Sequence, residues 1–126
     1  MTRTQPATPV IVIVEDDVSL LAALVFALET EGFLVHAFGR GGPLLSAPIR
    51  ADCMLVDMKL PDGDGLTLVS RLRERGVWSP AILTTTNPDV RVRRRAEGMG
   101  VQIVEKPLIT GELRRRIDER VAQNRR

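Results

Sequence analysis

Aromatic residues are scarce in this 126-residue chain: three Phe, one Trp and no Tyr. The core is therefore left to aliphatic side chains. The single cysteine, Cys53, excludes an internal disulfide and suits a reducing compartment, so a cytoplasmic location is expected. Lying inside an apolar run, it reads as a buried structural thiol. His36 is the only histidine and has no partner motif nearby, which makes it a structural or exposed side chain rather than a ligand. No apolar run reaches the ~18 residues that a membrane helix needs. The first nine residues contain no apolar stretch of the kind a signal peptide carries. Lysine is nearly absent, with Arg supplying sixteen of the 18 basic residues and Lys59 and Lys106 the rest.

What is present describes one folded domain. Apolar residues make up 44% and charged residues 27%, a balance typical of soluble globular chains. The net charge of +2 hides an asymmetry, because ten of the arginines fall from Arg91 onward. Such stretches can meet nucleic acid or acidic partners, but at this net charge a solvated helix face is the simpler reading.

Along the chain, apolar runs alternate with helical stripes. Val10 to Val14 is a β-branched run suited to a central parallel strand covered on both sides. Asp17 is placed to cap a helix from Val18 to Glu31, striped by Leu21, Val25 and Leu28 and stopped by Gly32. A second strand is expected over Phe33–Phe38, and a short helix around Leu44–Ala47, opened by Gly41-Gly42-Pro43 and limited by Pro48. Cys53–Val56 forms a third strand that delivers Asp57 where the run breaks. The Pro, Asp and Gly residues of Leu60–Gly65 then force a turn. A helix follows over Gly65–Arg75, with Leu66, Val69 and Leu72 as its buried stripe and Gly76 after it. Trp78 reads as an amphipathic lid at the strand base. Ala81–Thr84 is a fourth strand, Val90–Gly98 a short Arg-rich helix, and Val101–Val104 a fifth strand. Thr110 is expected to cap a last helix carrying Leu113, Ile117 and Val121. Alternating strands and helices argue for a parallel sheet with helices on both faces.

In such a sheet the carboxyl ends of the strands share one edge, where open α/β folds bind ligands. The residues delivered there are Glu15, Asp16 and Asp17, then Asp57, Thr85 and Lys106. Several carboxylates cannot crowd together ionised without a compensating cation. An oxygen-rich set lacking His and thiol suits a hard ion such as Mg²⁺. A carboxylate nucleophile, Mg²⁺, a lysine and a hydroxyl together describe phosphoryl transfer onto an aspartate.

With these motifs in order, IVEDD, LVDMKLPDGDG, ILTTT and VEKP, the chain resembles the receiver domain of two-component response regulators. The resemblance implies a flavodoxin-like fold, five parallel strands in the order 2-1-3-4-5 with five helices on both faces. It implies that Asp57 accepts a phosphoryl group from a sensor histidine kinase, that Thr85 is the switch hydroxyl, and that Lys106 pairs with Asp57 or the phosphate. Mg²⁺ would be held by Glu15, Asp16, Asp57 and the backbone carbonyl of Lys59. It further implies a commonly cis Lys106–Pro107 bond and a domain over 9–123. Residues 1–8 would form a flexible tail, and 124–126 would begin a possible linker to an output domain, fused or separate. Such a domain would turn over no separate substrate and so is not expected to be an enzyme. Homodimerisation would use helix 4, strand 5 and helix 5. No membrane contact is expected, and no helix-turn-helix accompanies the domain to support direct nucleic-acid binding. Ile103 stands where the family usually has an aromatic residue, and Thr86 where it usually has Ala or Gly. These departures support an alternative reading: a constitutive binding module that uses its Arg-rich helix 4 and helix 5 face.

Overall fold

The computed structural model describes residues 7–125, except for the side chain of Thr110. The strands are β1 (Val10–Val14), β2 (Leu34–Phe38), β3 (Cys53–Asp57), β4 (Lys59–Leu60), β5 (Gly63–Asp64), β6 (Ala81–Thr85) and β7 (Gln102–Glu105). The helices are α1 (Val18–Thr30), α2 (Gly41–Ser46), α3 (Gly65–Glu74), α4 (Val90–Gly98) and α5 (Thr110–Asn124). Five strands form one parallel sheet in the order β2-β1-β3-β6-β7. With the small β4–β5 hairpin set aside, this is the expected 2-1-3-4-5 order.

The sheet's period of two divides the core cleanly. Val12, Val14, Met54, Val56 and Leu83 face Leu44 of α2, Leu66, Val69 and Leu72 of α3, and Ala96 of α4. Ile11, Ile13, Cys53, Leu55, Ile82 and Val104 face Leu24 and Leu28 of α1 and Leu113, Ile117 and Val121 of α5. Cys53 is buried as expected, and that burial pushes its thiol up to about 12. No helix among the described residues is long and apolar enough to cross a membrane.

The expected boundaries shift where the backbone keeps hydrogen bonding to the preceding helix. Phe33 stays outside β2 because its N–H donates to the Leu28 carbonyl at 3.1 Å, closing α1 around Gly32 at φ 96°. Val101 stays outside β7 for the same reason, donating to Ala96 at 2.9 Å. Asp17 caps α1 as expected, accepting from the Leu20 N–H at 3.0 Å. In α5 the cap position is Ile109, with no side-chain cap bond. The expected Thr110 cap would rest on a side chain outside the described residues, as does most of the expected N-terminal tail. Trp78 is 68% exposed, with the Arg73 guanidinium 4.9 Å from its ring centroid. It is a stacked surface indole more than a lid.

The α2 helix opens at Gly41, as expected, but Arg40 at its cap position provides no side-chain bond. Its first amides are instead satisfied from 21 and 20 residues away. Asp62 accepts from the N–H groups of Gly41 at 3.0 Å and Gly42 at 2.7 Å.

Candidate functional site

Asp57 is the last residue of β3, so its side chain emerges at the carboxyl edge of the sheet between β1 and β6. The residue is only 6% exposed. Two features of the following loop hold it there. The Lys59 N–H reaches Asp57 Oδ1 at 3.3 Å, and the Gly65 N–H closes the loop on the Met58 carbonyl at 2.9 Å. Gly65 sits so close to the strand that a Cβ on it would lie 2.3 Å from the Asp57 carbonyl oxygen. Only glycine permits this approach.

The other components arrive from neighbouring strand ends. Glu15 follows β1, is 2% exposed, and accepts the Asp17 N–H through Oε2 at 3.1 Å. Asp16 beside it is exposed. Carboxylate oxygens of Glu15, Asp16 and Asp57 all lie within 4.8 Å of one another. Thr85 closes β6 and is buried; its carbonyl accepts the Lys106 N–H at 2.8 Å, drawing the end of β7 against it. Lys106 precedes a cis bond to Pro107, and its ammonium bridges Glu15 Oε1 at 2.8 Å and Asp57 Oδ2 at 3.1 Å. Burial alone would lower the lysine's pKa. The hydrogen bonds to Glu15 and Asp57, with the charges of both, outweigh it and hold the ammonium above its ordinary 10.5.

The structure thus brings Glu15, Asp16, Asp57, Thr85 and Lys106 to one edge, around an open pocket of about 280 Å³ that Asp16, Asp57, Lys59, Thr85, Thr86 and Lys106 line. Asp17 turns away to cap α1. Three carboxylates against one ammonium leave the cluster anionic, and its donors are all oxygens, so the residues present fit a hard divalent cation.

Two further acids of the Leu60–Gly65 turn carry roles that the sequence did not disclose. Asp62 caps α2, and the two amide N–H bonds hold its pKa below the ordinary 3.8. Asp64 caps α3, accepting from the Thr67 N–H at 2.7 Å, and pairs with Arg95 of α4 at 3.1 Å. Burial works against ionisation of Asp64, but these bonds outweigh it and its pKa also falls. An Asp two residues before the helical stripe that opens at Leu66 is the signal that could have found the α3 cap; nothing in the sequence signals the other two contacts. On the far side of β7, Ile103 is half-buried and packs against the α3 and α4 side of the core.

Comparisons with known proteins show the family. Residues 11–118 match the response regulator receiver domain family. Nodulation protein W of Bradyrhizobium diazoefficiens is 32% identical over 115 residues, covering 88% of this chain and 51% of that protein. Transcriptional regulatory protein PmrA of Pectobacterium parmentieri is 30% identical over 119 residues, covering 90% of this chain and 53% of that protein. This chain therefore spans about half the length of these relatives. Among solved structures, the signal receiver domain of a modulated diguanylate cyclase from Desulfovibrio desulfuricans G20 superposes with a TM-score of 0.83 at 31% identity, covering 94% of this chain and 98% of that one. With a doubly wound sheet, a buried strand-end aspartate and these relatives, the chain belongs to the response regulator receiver domain family.

Proposed function

We propose that this domain is a phosphorylation-dependent switch in which Asp57 accepts a phosphoryl group from the phosphohistidine of a sensor histidine kinase. The observation that carries the reading is the Lys106 bridge between the buried Glu15 and Asp57, within a set of three carboxylates whose oxygens lie within 4.8 Å of one another. A new P–O bond forms at an Asp57 carboxylate oxygen as the donor's P–N bond breaks, and the leaving imidazole takes up a proton. Glu15, Asp16, Asp57 and the Lys59 carbonyl would hold Mg²⁺, which when bound offsets the carboxylate charge and that of the incoming phosphoryl oxygens. Lys106 loses its Asp57 carboxylate partner on transfer and is placed to take a phosphoryl oxygen instead. The Thr85 hydroxyl is the adjacent uncharged donor. The domain turns over no separate substrate on this reading. Its output would pass to a fused or separate effector domain, or to a second copy through α4, β7 and α5.

One observation favours a second reading. Arg91, Arg94 and Arg115 are exposed and form no ion pair among the described residues, as an acidic docking partner would require. The test is intact-mass spectrometry after incubation with acetyl phosphate, with and without Mg²⁺, on wild type and Asp57→Asn. The switch predicts a Mg²⁺-dependent gain of one phosphoryl group that the variant lacks. If no gain occurs with acetyl phosphate or with a purified histidine kinase, constitutive docking is the surviving function.

A further inference from the structure

The α4 helix is tied by arginines to both flanks of the Asp57 site. Arg95 Nη1 contacts Asp64 Oδ1 at 3.1 Å, and Arg95 Nη2 contacts Thr67 Oγ1 at 2.7 Å. Asp64 and Thr67 form the first turn of α3, since Asp64 also accepts the Thr67 N–H and hydroxyl at 2.7 and 3.0 Å. Gly65, which presses on the Asp57 carbonyl, lies between them. On the other flank, Arg93 pairs with Glu105 at 2.7 Å. Glu105 is paired in register with Thr85 and immediately precedes Lys106. One turn of α4 therefore grips a residue next to the group that contacts Asp57 on one side and a residue next to Lys106 on the other.

Between these grips, α4 has few other anchors. Ala96 is its one fully buried residue, and its remaining apolar contact is the half-buried Val92. A groove of about 460 Å³ separates its leading loop from the turn after Asp57, lined among others by Met58, Leu60, Pro88 and Val92. Met99 at its C-cap packs on the core and its carbonyl accepts from Arg73 Nη1 at 2.6 Å, which anchors that end; toward the groove and the Asp57 site, the two ion pairs are the contacts that tie the helix to its neighbours. The side chain at 103 is aliphatic and has no polar group to add a third.

We propose that Arg95 and Arg93 act as a two-point strap through which the position of α4 follows the state of the Asp57 site, with Arg95 as the positioning residue on the α3 flank. A change that displaces Asp57 moves Gly65 and the Asp64 cap, and Arg95 conveys that displacement to α4. By linkage, the strap also restrains the Asp57 loop. The regulatory part of this inference rests on the switch reading above; the mechanical part, that Arg95 couples α4 to the α3 cap, does not.

Hydrogen exchange read by mass spectrometry tests both parts. In the protein without ligands, Arg95→Gln should speed exchange about two- to fivefold in both 58–67 and 90–98, the range expected for a partly exposed ion pair, and leave α1 and α5 unchanged. Asp64→Glu, which keeps the charge, should behave closer to wild type than Asp64→Asn. Combining Arg95→Gln with Asp64→Asn should add nothing further in α4. Faster exchange in α4 alone, or additive effects, would overturn the coupling. With Mg²⁺ and beryllofluoride added, wild type should change exchange in both segments, and Arg95→Gln only in 58–67. An equal α4 response in the variant would overturn the strap. If wild type shows no response in either segment, the phosphoacceptor reading fails, while the ligand-free comparison still decides the coupling.

Discussion

Gly65→Ala is the sharpest test of how the fold positions Asp57. An added Cβ would sit 2.3 Å from the Asp57 carbonyl oxygen, 2.9 Å from Val56 Cγ1 and 3.0 Å from the Asp57 carbonyl carbon. Ordinary contact begins near 3.4 Å, so the backbone of β3 and the first turn of α3 must part by about 1 Å. Both are rigid: β3 is buried along its whole length and bonded on both sides, and Leu66 beside Gly65 is fully buried. Overpacking of this kind costs about 1–3 kcal/mol. Urea denaturation should show that loss as a lower midpoint with an unchanged slope. The same displacement carries Asp57 out of register with Lys106, and a ~1 Å error in a reacting group can cost ~100-fold in rate. Phosphorylation by acetyl phosphate should therefore fall much further than the stability does. Gly98→Ala is the control. No atom beyond its own helix backbone and chain neighbours lies within 4 Å of its added Cβ and its φ is not positive, so it should stabilise by about 0.4–1 kcal/mol. If Gly65→Ala matches wild type in both midpoint and rate, the close approach does not exist in solution and the account of Asp57's placement is wrong.

Lys106→Met leaves the buried Glu15 and Asp57 without their shared cation; it should cost about 2 kcal/mol in EDTA, and Mg²⁺ should recover part of that in urea melts. Asp62→Asn removes the carboxylate that caps α2. Because the two amide bonds lower the Asp62 pKa, its contribution is present above the ordinary 3.8 and is lost as pH falls through the lower folded value. The stability gap between wild type and this variant should thus be full at pH 7 and close in acid; a gap independent of pH would refute the assignment. Thr86→Ala removes an exposed side chain from the rim of the pocket and should hasten loss of the phosphoryl group, followed by the decay of the phosphorylated mass.

The features legible in the sequence are those that depend on local pattern. Val10–Val14 and Cys53–Val56 lack any polar residue, so each had to be a covered strand, and the strand ends then fixed which acids and which lysine meet. Asp17 before a helical stripe, and Gly32 after it, needed no tertiary information. The features that were not legible depend on distance. Nothing near Gly41 indicates that its amide is capped by Asp62, because the acceptor lies 21 residues further along. The Arg-rich stretch of α4 reads as an undifferentiated solvated face, yet Arg93 and Arg95 are engaged by Glu105 and Asp64, 12 and 31 residues away, while Arg91 and Arg94 are not. Periodicity places a side chain on a face; it does not say which carboxylate that face meets. The start of α5 shows a related limit, since a Thr beside a helical pattern suggests a cap whereas the backbone begins the helix at Thr110 itself, behind Ile109.

The site's own contacts show why its chemistry belongs to the fold. Glu15 and Lys106 lie 91 residues apart, and Asp57 and Lys106 lie 49 apart, so the unfolded chain contains no version of this cluster. Folding buries two carboxylates and gives them one ammonium between them. On the switch reading, transfer removes the charge from the Asp57 carboxylate and sets a more highly charged phosphoryl group beside it. Lys106 must then divide its donors differently, since the same Nζ also holds Glu15. The lysine's backbone cannot shift alone: its N–H is bonded to the Thr85 carbonyl, and the residue before it is held by Arg93. On that reading, a redistribution of charge that moves the Lys106 backbone would reach the end of β6 and the side of α4 through contacts already made. No aromatic side chain at position 103 is needed for that route to be continuous.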